Sequence, residues 1–180
     1  MSAKKMLGGI SAGFAALMLF AGVAAAQDAT AEQPKQTVNK EVGNWTVKCF
    51  EKSGVTRCNM IEVLVNKKTG ERVLAVSVQY APAQKHSIIE VGVPLHVALQ
   101  KGAVLNTDTY TSGTLKYKIC DQMGCYIVLP ADDSVIASLG KATKASVDIV
   151  DFVSDKKVSL KIPLDGFSGA YQAVVEASHG

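Results

Sequence analysis

Four cysteines fall in two close pairs, and each pair straddles a turn: Cys49 and Cys58 flank Ser53-Gly54, while Cys120 and Cys125 flank Gln122-Met123. Four cysteines allow three pairings. If Ser53-Gly54 is the two-residue loop of a hairpin, position 52 faces 55, 51 faces 56, 50 faces 57, and Cys49 falls opposite Cys58. Counting outward from the hydrogen-bonded pair beside the loop makes this a non-hydrogen-bonded pair, with α-carbons about 4.5 Å apart, within reach of a disulfide. The same count sets Cys120 opposite Cys125, and a four-residue loop with a left-handed Gly124 would close that pair as well. Rings of ten and six residues give roughly 2.7 and 2.2 kcal/mol on the loop-entropy model, against roughly 4.4 for a Cys49 to Cys120 crosslink. Local pairing therefore gives up some stabilisation, but geometry decides whether a bond forms, and each local bond needs only an ordinary hairpin. The cysteines predict two stapled hairpins.

The residues around them follow the period of a strand with one buried face. Trp45, Val47 and Cys49 alternate with Thr46 and Lys48. Leu74, Val76, Val78 and Tyr80 make a second such face, Leu115, Tyr117 and Ile119 a third, and Val158, Leu160 and Ile162 a fourth. Turn signals at Ser53-Gly54, Lys67 to Gly70, Ser112-Gly113, Asp121 to Gly124 and Ser154 to Lys157 suit successive hairpins. Two helices interrupt the strands. Asp132 or Asp133 can cap a short one through Val135, Ile136 and Leu139 that stops at Gly140. After Asp165, the residues Phe167, Ala170, Tyr171 and Val174 recur at helical spacing and predict a C-terminal helix laid on the sheet. The expected fold is mainly β: an antiparallel sandwich or barrel of hairpins with a short helix and a C-terminal helix.

Disulfides persist in oxidising compartments, and the N-terminus provides the route to one. Lys4 and Lys5 precede a run without charge from Met6 to Val23 that ends in Ala24, Ala25 and Ala26, the order of a cleavable signal peptide over residues 1–26. The run is long enough to span a bilayer, but Gly8, Gly9, Gly13 and Gly22 weaken it as a helix, and the Ala-x-Ala end favours cleavage before Gln27. No integral span is expected after that cut. Loss of Lys4 and Lys5 with no acid lowers the formal charge from +3 to +1, which argues against a nucleic-acid partner. Residues 27–43 are polar and aperiodic and read as a flexible segment; 44–178 read as one β-rich domain.

No reaction is legible in the remaining chemistry. His86, His96 and His179 lack the spacing of a metal site, and Asp132-Asp133 is better explained as a helix start than as an acid and base. Ser168 sits in Gly-Phe-Ser-Gly, half of a nucleophile elbow. Tyr80, Tyr110, Tyr117 and Tyr126 suit core or cross-strand packing more than a binding surface. The sharpest alternative is a periplasmic thiol-disulfide redox protein using Cys120 and Cys125, with Lys116 and Lys118 on the face of Cys120 to lower its thiol pKa. Against it, four residues separate the cysteines at a strand turn, where oxidoreductases usually place two at a helix N-terminus. The expectation is therefore no catalytic residue, no cofactor and no metal.

The order of features resembles the invasion-associated locus B family of exported bacterial proteins along nearly the whole domain. The residues carrying the resemblance are Trp45-Thr46-Val47-Lys48-Cys49 with Cys58-Asn59-Met60, then Val93-Pro94-Leu95 leading to Leu99-Gln100-Lys101-Gly102. Tyr117 to Cys120 with Gly124-Cys125 follow, and finally Ile162-Pro163-Leu164 with Gly166-Phe167 and Ala170. Pro94 marks a strand end and Gly102 a turn before the next strand; His96 stands where the resemblance leads one to expect glycine. The resemblance implies a β-rich envelope or secreted protein without established catalytic activity, associated in pathogenic members with host-cell entry. Its partner would be an envelope or host-surface protein, and its location periplasmic or secreted, with association to the outer membrane as one form of that.

Overall fold

The computed structural model describes residues 33–179; the signal segment expected over 1–26 lies outside them. Ten strands form two antiparallel sheets. In chain order the strands of the larger sheet are β1 (Lys35–Val42), β2 (Trp45–Lys52), β3 (Val55–Val65), β4 (Arg72–Ala81), β5 (His86–Val93), β7 (Tyr117–Asp121) and β8 (Gly124–Ala131). They lie side by side as β1-β2-β3-β4-β5-β8-β7. The smaller sheet is β10 (Lys157–Ile162), β9 (Ala145–Val150) and β6 (Val104–Thr107), with β9 central. The large sheet stays open at β1 and β7, so of the two architectures expected, the layered one forms.

The hairpin count holds. Ser53 and Gly54 both take positive φ, the geometry of a tight two-residue turn, and Cys49 faces Cys58. From there the buried side of the sheet runs strand to strand: Val47 faces Met60, Met60 faces Val78, Val78 faces Ile89, and Ile89 faces Leu129. Glu62 shares that side opposite Val76. There it is half-buried, and burial pushes its carboxyl pKa up. Most of the seven-stranded core is thus one alternation carried across the ladder.

Two readings are corrected. Residues 35–42, assigned above to a flexible segment, form β1, an edge strand paired with β2 from Lys35–Glu51 to Val42–Trp45. Its side chains are mostly exposed, so backbone pairing, which leaves no hydrophobic period, holds it in place. The second concerns Leu115, Tyr117 and Ile119. A bulge between Tyr117 and Ile119 inserts Lys118, so Tyr117 faces Ile127 while Ile119 faces Tyr126 and is exposed. Val158, Leu160 and Ile162 grade from exposed to buried along β10.

Helix α1 (Asp133–Lys141) starts on Asp132, whose carboxylate accepts from the Ser134 and Val135 amides, and it runs one residue past Gly140. Helix α2 (Phe167–His179) packs across β2, β3 and β4 through Phe167, Ala170 and Val174. Trp45 is fully buried, edge-on to Phe167 at 5.3 Å between ring centroids. The entry to α2 is fixed by a close approach of two backbones: a Cβ on Gly166 would lie 2.1 Å from the Val42 carbonyl oxygen, and one on Gly43 2.5 Å from that of Asp165. Val147, Ile149 and Leu105 of the smaller sheet join the same core.

Candidate functional site

The cysteines are joined as Cys49–Cys58 and Cys120–Cys125, with α-carbons 4.1 and 4.0 Å apart. Their surroundings differ. Cys49 and Cys58 are 0% and 1% exposed, within the core beside Met60. In the second pair Cys125 is buried but Cys120, on the edge strand β7, is exposed. The bulge at Lys118 shifts the alternation by one, so Cys120 shares the side of Tyr117 and not the face of Lys116. Of the two lysines invoked for a lowered thiol pKa, the register thus takes Lys116 off the side of Cys120 and leaves Lys118 as the inserted residue of the bulge.

Arg72 latches the second hairpin to the sheet. Its guanidinium donates to the Met123 carbonyl and, at 3.1 Å, to the Tyr126 hydroxyl, and it stacks over the Tyr126 ring at 5.3 Å. Asp121 closes the turn from within by accepting from the Met123 and Gly124 amides at 2.7 and 3.2 Å. Gly124 has φ +147°, and a Cβ there would meet the Val93 carbonyl oxygen at 2.2 Å and Arg72 at 2.9 Å. Only glycine lets the hairpin sit this close to the end of β5. Sequence reasoning missed the latch because Arg72 is 51 residues from Met123.

The other candidate residues do not converge. His86 opens β5, His96 sits in the loop after it, and His179 ends α2 beside Tyr80 at 5.5 Å between rings. Among the described residues no three His, Cys, Asp or Glu side chains are grouped to hold a metal ion. Ser168 donates to the Gly140 carbonyl at 3.2 Å, tying α2 to α1. Tyr126 serves the Arg72 latch, while Tyr110 and Tyr80 pack against the core. The Tyr117 hydroxyl is buried without a hydrogen-bond partner, and burial pushes its pKa up.

Two carboxylates secure the smaller sheet. Asp108 accepts from the Thr143 amide and hydroxyl and from the Lys144 amide, which together hold its pKa below the usual range. Burial pushes the Asp148 carboxyl up, but Lys157, Ser159 and Asn106 outweigh it and keep the pKa low. His96 has φ +68°, the left-handed conformation that glycine takes without strain, and its carbonyl accepts from the Phe152 amide at 2.7 Å. The turn thus keeps the glycine-like geometry although a side chain is present.

The class of protein this describes is a layered antiparallel β domain with two disulfide-closed hairpins, in which several polar side chains hold turns and helix ends. The chain belongs to the invasion associated locus B (IalB) family, whose match covers residues 45–175. An invasion protein B homolog of Brucella abortus strain 2308 is 27% identical over 138 residues, 77% of this chain and 79% of the homolog. A homolog from Brucella abortus biovar 1 strain 9-941 matches to the same extent. The crystal structure of invasion associated protein b from Bartonella henselae has the same fold, with a TM-score of 0.71 at 21% identity, over 78% of this chain and 96% of that one. Among the described residues no helix is long and apolar enough to cross a membrane.

Proposed function

We propose that this protein is exported across the inner membrane, matures at Gln27, and acts without catalysis in the bacterial envelope or outside the cell, where it contributes to association with host cells or to envelope function. The observation that carries the reading is the family match over residues 45–175, in a family described as invasion associated. The relatives named invasion protein B homologs support it. The two disulfides favour an oxidising compartment, and the Lys4-Lys5, apolar, Ala24 to Ala26 order provides the way there. Its partner on this reading is an envelope or host-surface protein.

Fractionation with N-terminal sequencing tests the first half: Gln27 is expected as the first residue, in periplasm or culture fluid, and a cytoplasmic chain with four free thiols would overturn it. Deletion tests the second half. Unchanged host-cell association together with unchanged envelope integrity would refute the role. Thiol-disulfide exchange through Cys120 and Cys125 is the weaker reading, because the edge bulge takes Cys120 off the face of Lys116.

A further inference from the structure

One end of the domain displays apolar side chains at the tips of neighbouring turns from both sheets. Phe152 and Val153, in the turn between β9 and β10, are 68% and 81% exposed. The Phe152 amide binds the His96 carbonyl, which sets that turn beside the loop carrying Leu95. Leu95 and His96 in turn border, with Met123 of the disulfide hairpin, a hollow of about 470 Å³. Leu95 and Met123 are themselves 45% and 61% exposed. Four large apolar side chains therefore stand in water on three adjacent loops, an arrangement that marks a contact surface.

The acids and the lysines at this end differ in how they are held. Asp155 is paired with Lys101, while Asp121, Asp151 and Glu71 stay charged but are tied down within their own turns, to the Met123 and Gly124 amides, to Ser154 and to Thr69. Lys67 and Lys68, in the turn whose flanks Asn66 and Glu71 border the same hollow, have no carboxylate partner among the described residues. The same holds for Lys156, whose carbonyl closes the Phe152-Val153 turn by accepting from Asp151. Apolar tips flanked by free ammonium groups match the interface of a bilayer, where side chains enter the acyl boundary and lysines meet lipid phosphates.

We propose that this end of the molecule is a peripheral membrane-docking surface for anionic phospholipid, with Phe152 and Val153 as the inserting pair, Leu95 and Met123 beside them, and Lys67, Lys68 and Lys156 on the headgroups. The surface does not depend on where the protein resides, so it stands or falls separately from the export reading. Binding to vesicles of phosphatidylglycerol with phosphatidylcholine, and to phosphatidylcholine alone, tests it by co-sedimentation. Each variant is compared with a parent chain of the same length, so that any contribution of residues 1–26 cancels.

The parent is expected to bind the anionic vesicles more tightly. Phe152→Ser with Val153→Ser should weaken that binding by about tenfold or more, and Lys67→Gln with Lys68→Gln should erase most of the preference for anionic lipid. A Phe152→Trp chain provides a reading independent of affinity, since brominated acyl chains should quench its emission beyond that of buried Trp45. No vesicle binding by the parent, equal binding by the serine variant, or an unquenched Phe152→Trp would each overturn the proposal. So would loss of protein partners in the serine variant without vesicle binding by the parent, which would assign the patch to a protein.

Discussion

Accessibility separates the two disulfides, and reduction under native conditions reads the separation directly. A thiolate must reach a disulfide sulfur to attack it. Cys120 is exposed on an edge strand, so its bond is open to a small reductant in the folded state. Cys49 and Cys58 are 0% and 1% exposed, beneath the packing that joins β2 and β3 to α2. Their bond waits for the chain to open. For a domain stable by about 5 kcal/mol, the low end of the usual range, the open fraction is about 1 in 5,000. With comparable intrinsic reactivity, Cys120–Cys125 should therefore be reduced on the order of a thousand times faster than Cys49–Cys58. Timed dithiothreitol treatment, acid quenching, alkylation and peptide mass spectrometry would follow both. Labelled Cys120 and Cys125 should appear first, and urea should close the gap by about tenfold for each 1.4 kcal/mol of stability removed. Equal rates without denaturant would refute the argument that burial controls access here.

Gly124→Ala should destabilise the domain by roughly 2 to 4 kcal/mol, from a left-handed φ and a Cβ forced onto the Val93 carbonyl; urea unfolding measures it, and a cost below about 1 kcal/mol would refute the close approach. His96→Gly should do the reverse and gain about 0.5 to 1 kcal/mol in the same assay, by relieving a φ of +68°; a loss would mean the imidazole packs favourably enough to outweigh that strain. Glu62→Gln should raise stability at neutral pH. Burial raises the folded-state pKa of Glu62, so the folded chain binds the proton more tightly, and stability falls as pH rises through that range. The gain should be absent in acid, and a pH-independent gain would assign it to packing. Asp108→Asn should lower the melting temperature at neutral pH but not in strong acid, because the Asp108 pKa is held low by Thr143 and Lys144 and its contribution is lost as pH falls through that value.

What the sequence exposed and what it hid divide along one physical line. Cys49, Ser53-Gly54 and Cys58 fixed a register because a two-residue turn leaves no freedom in parity. Trp45-Val47 and Leu74-Val78 were readable because their alternate residues are buried. Asp132 and the Phe167 to Val174 stripe gave both helices for equally local reasons. β1 was not legible, since an exposed edge strand is specified by its neighbour's backbone and not by its own side chains. Nor was the bulge at Lys118, because an inserted residue inverts parity without changing composition. β9 carried a usable signal in Ala145, Val147 and Ile149, whereas the run from Ile88 to Val93 blurs alternation in β5. The Arg72 latch and the apolar end needed the fold, since they join residues far apart in the chain.

Several restraints act on the loops that carry the exposed apolar tips. The Arg72 guanidinium holds Met123, the Cys120–Cys125 bond closes the hairpin behind it, and Gly124 allows that hairpin to sit on the end of β5. On the other side His96 is kept left-handed while binding the Phe152 amide, and Asp155, also at positive φ, is tied to Lys101. Left-handed side-chain residues cost stability and persist only where their surroundings over-determine them. Held this way, Leu95, Met123, Phe152 and Val153 keep their relative positions before anything binds, so little ordering entropy remains to oppose contact. The disulfide at Cys120 and Cys125 then has a role that requires no redox chemistry, because opening it would loosen Met123 while leaving the buried Cys49–Cys58 core intact.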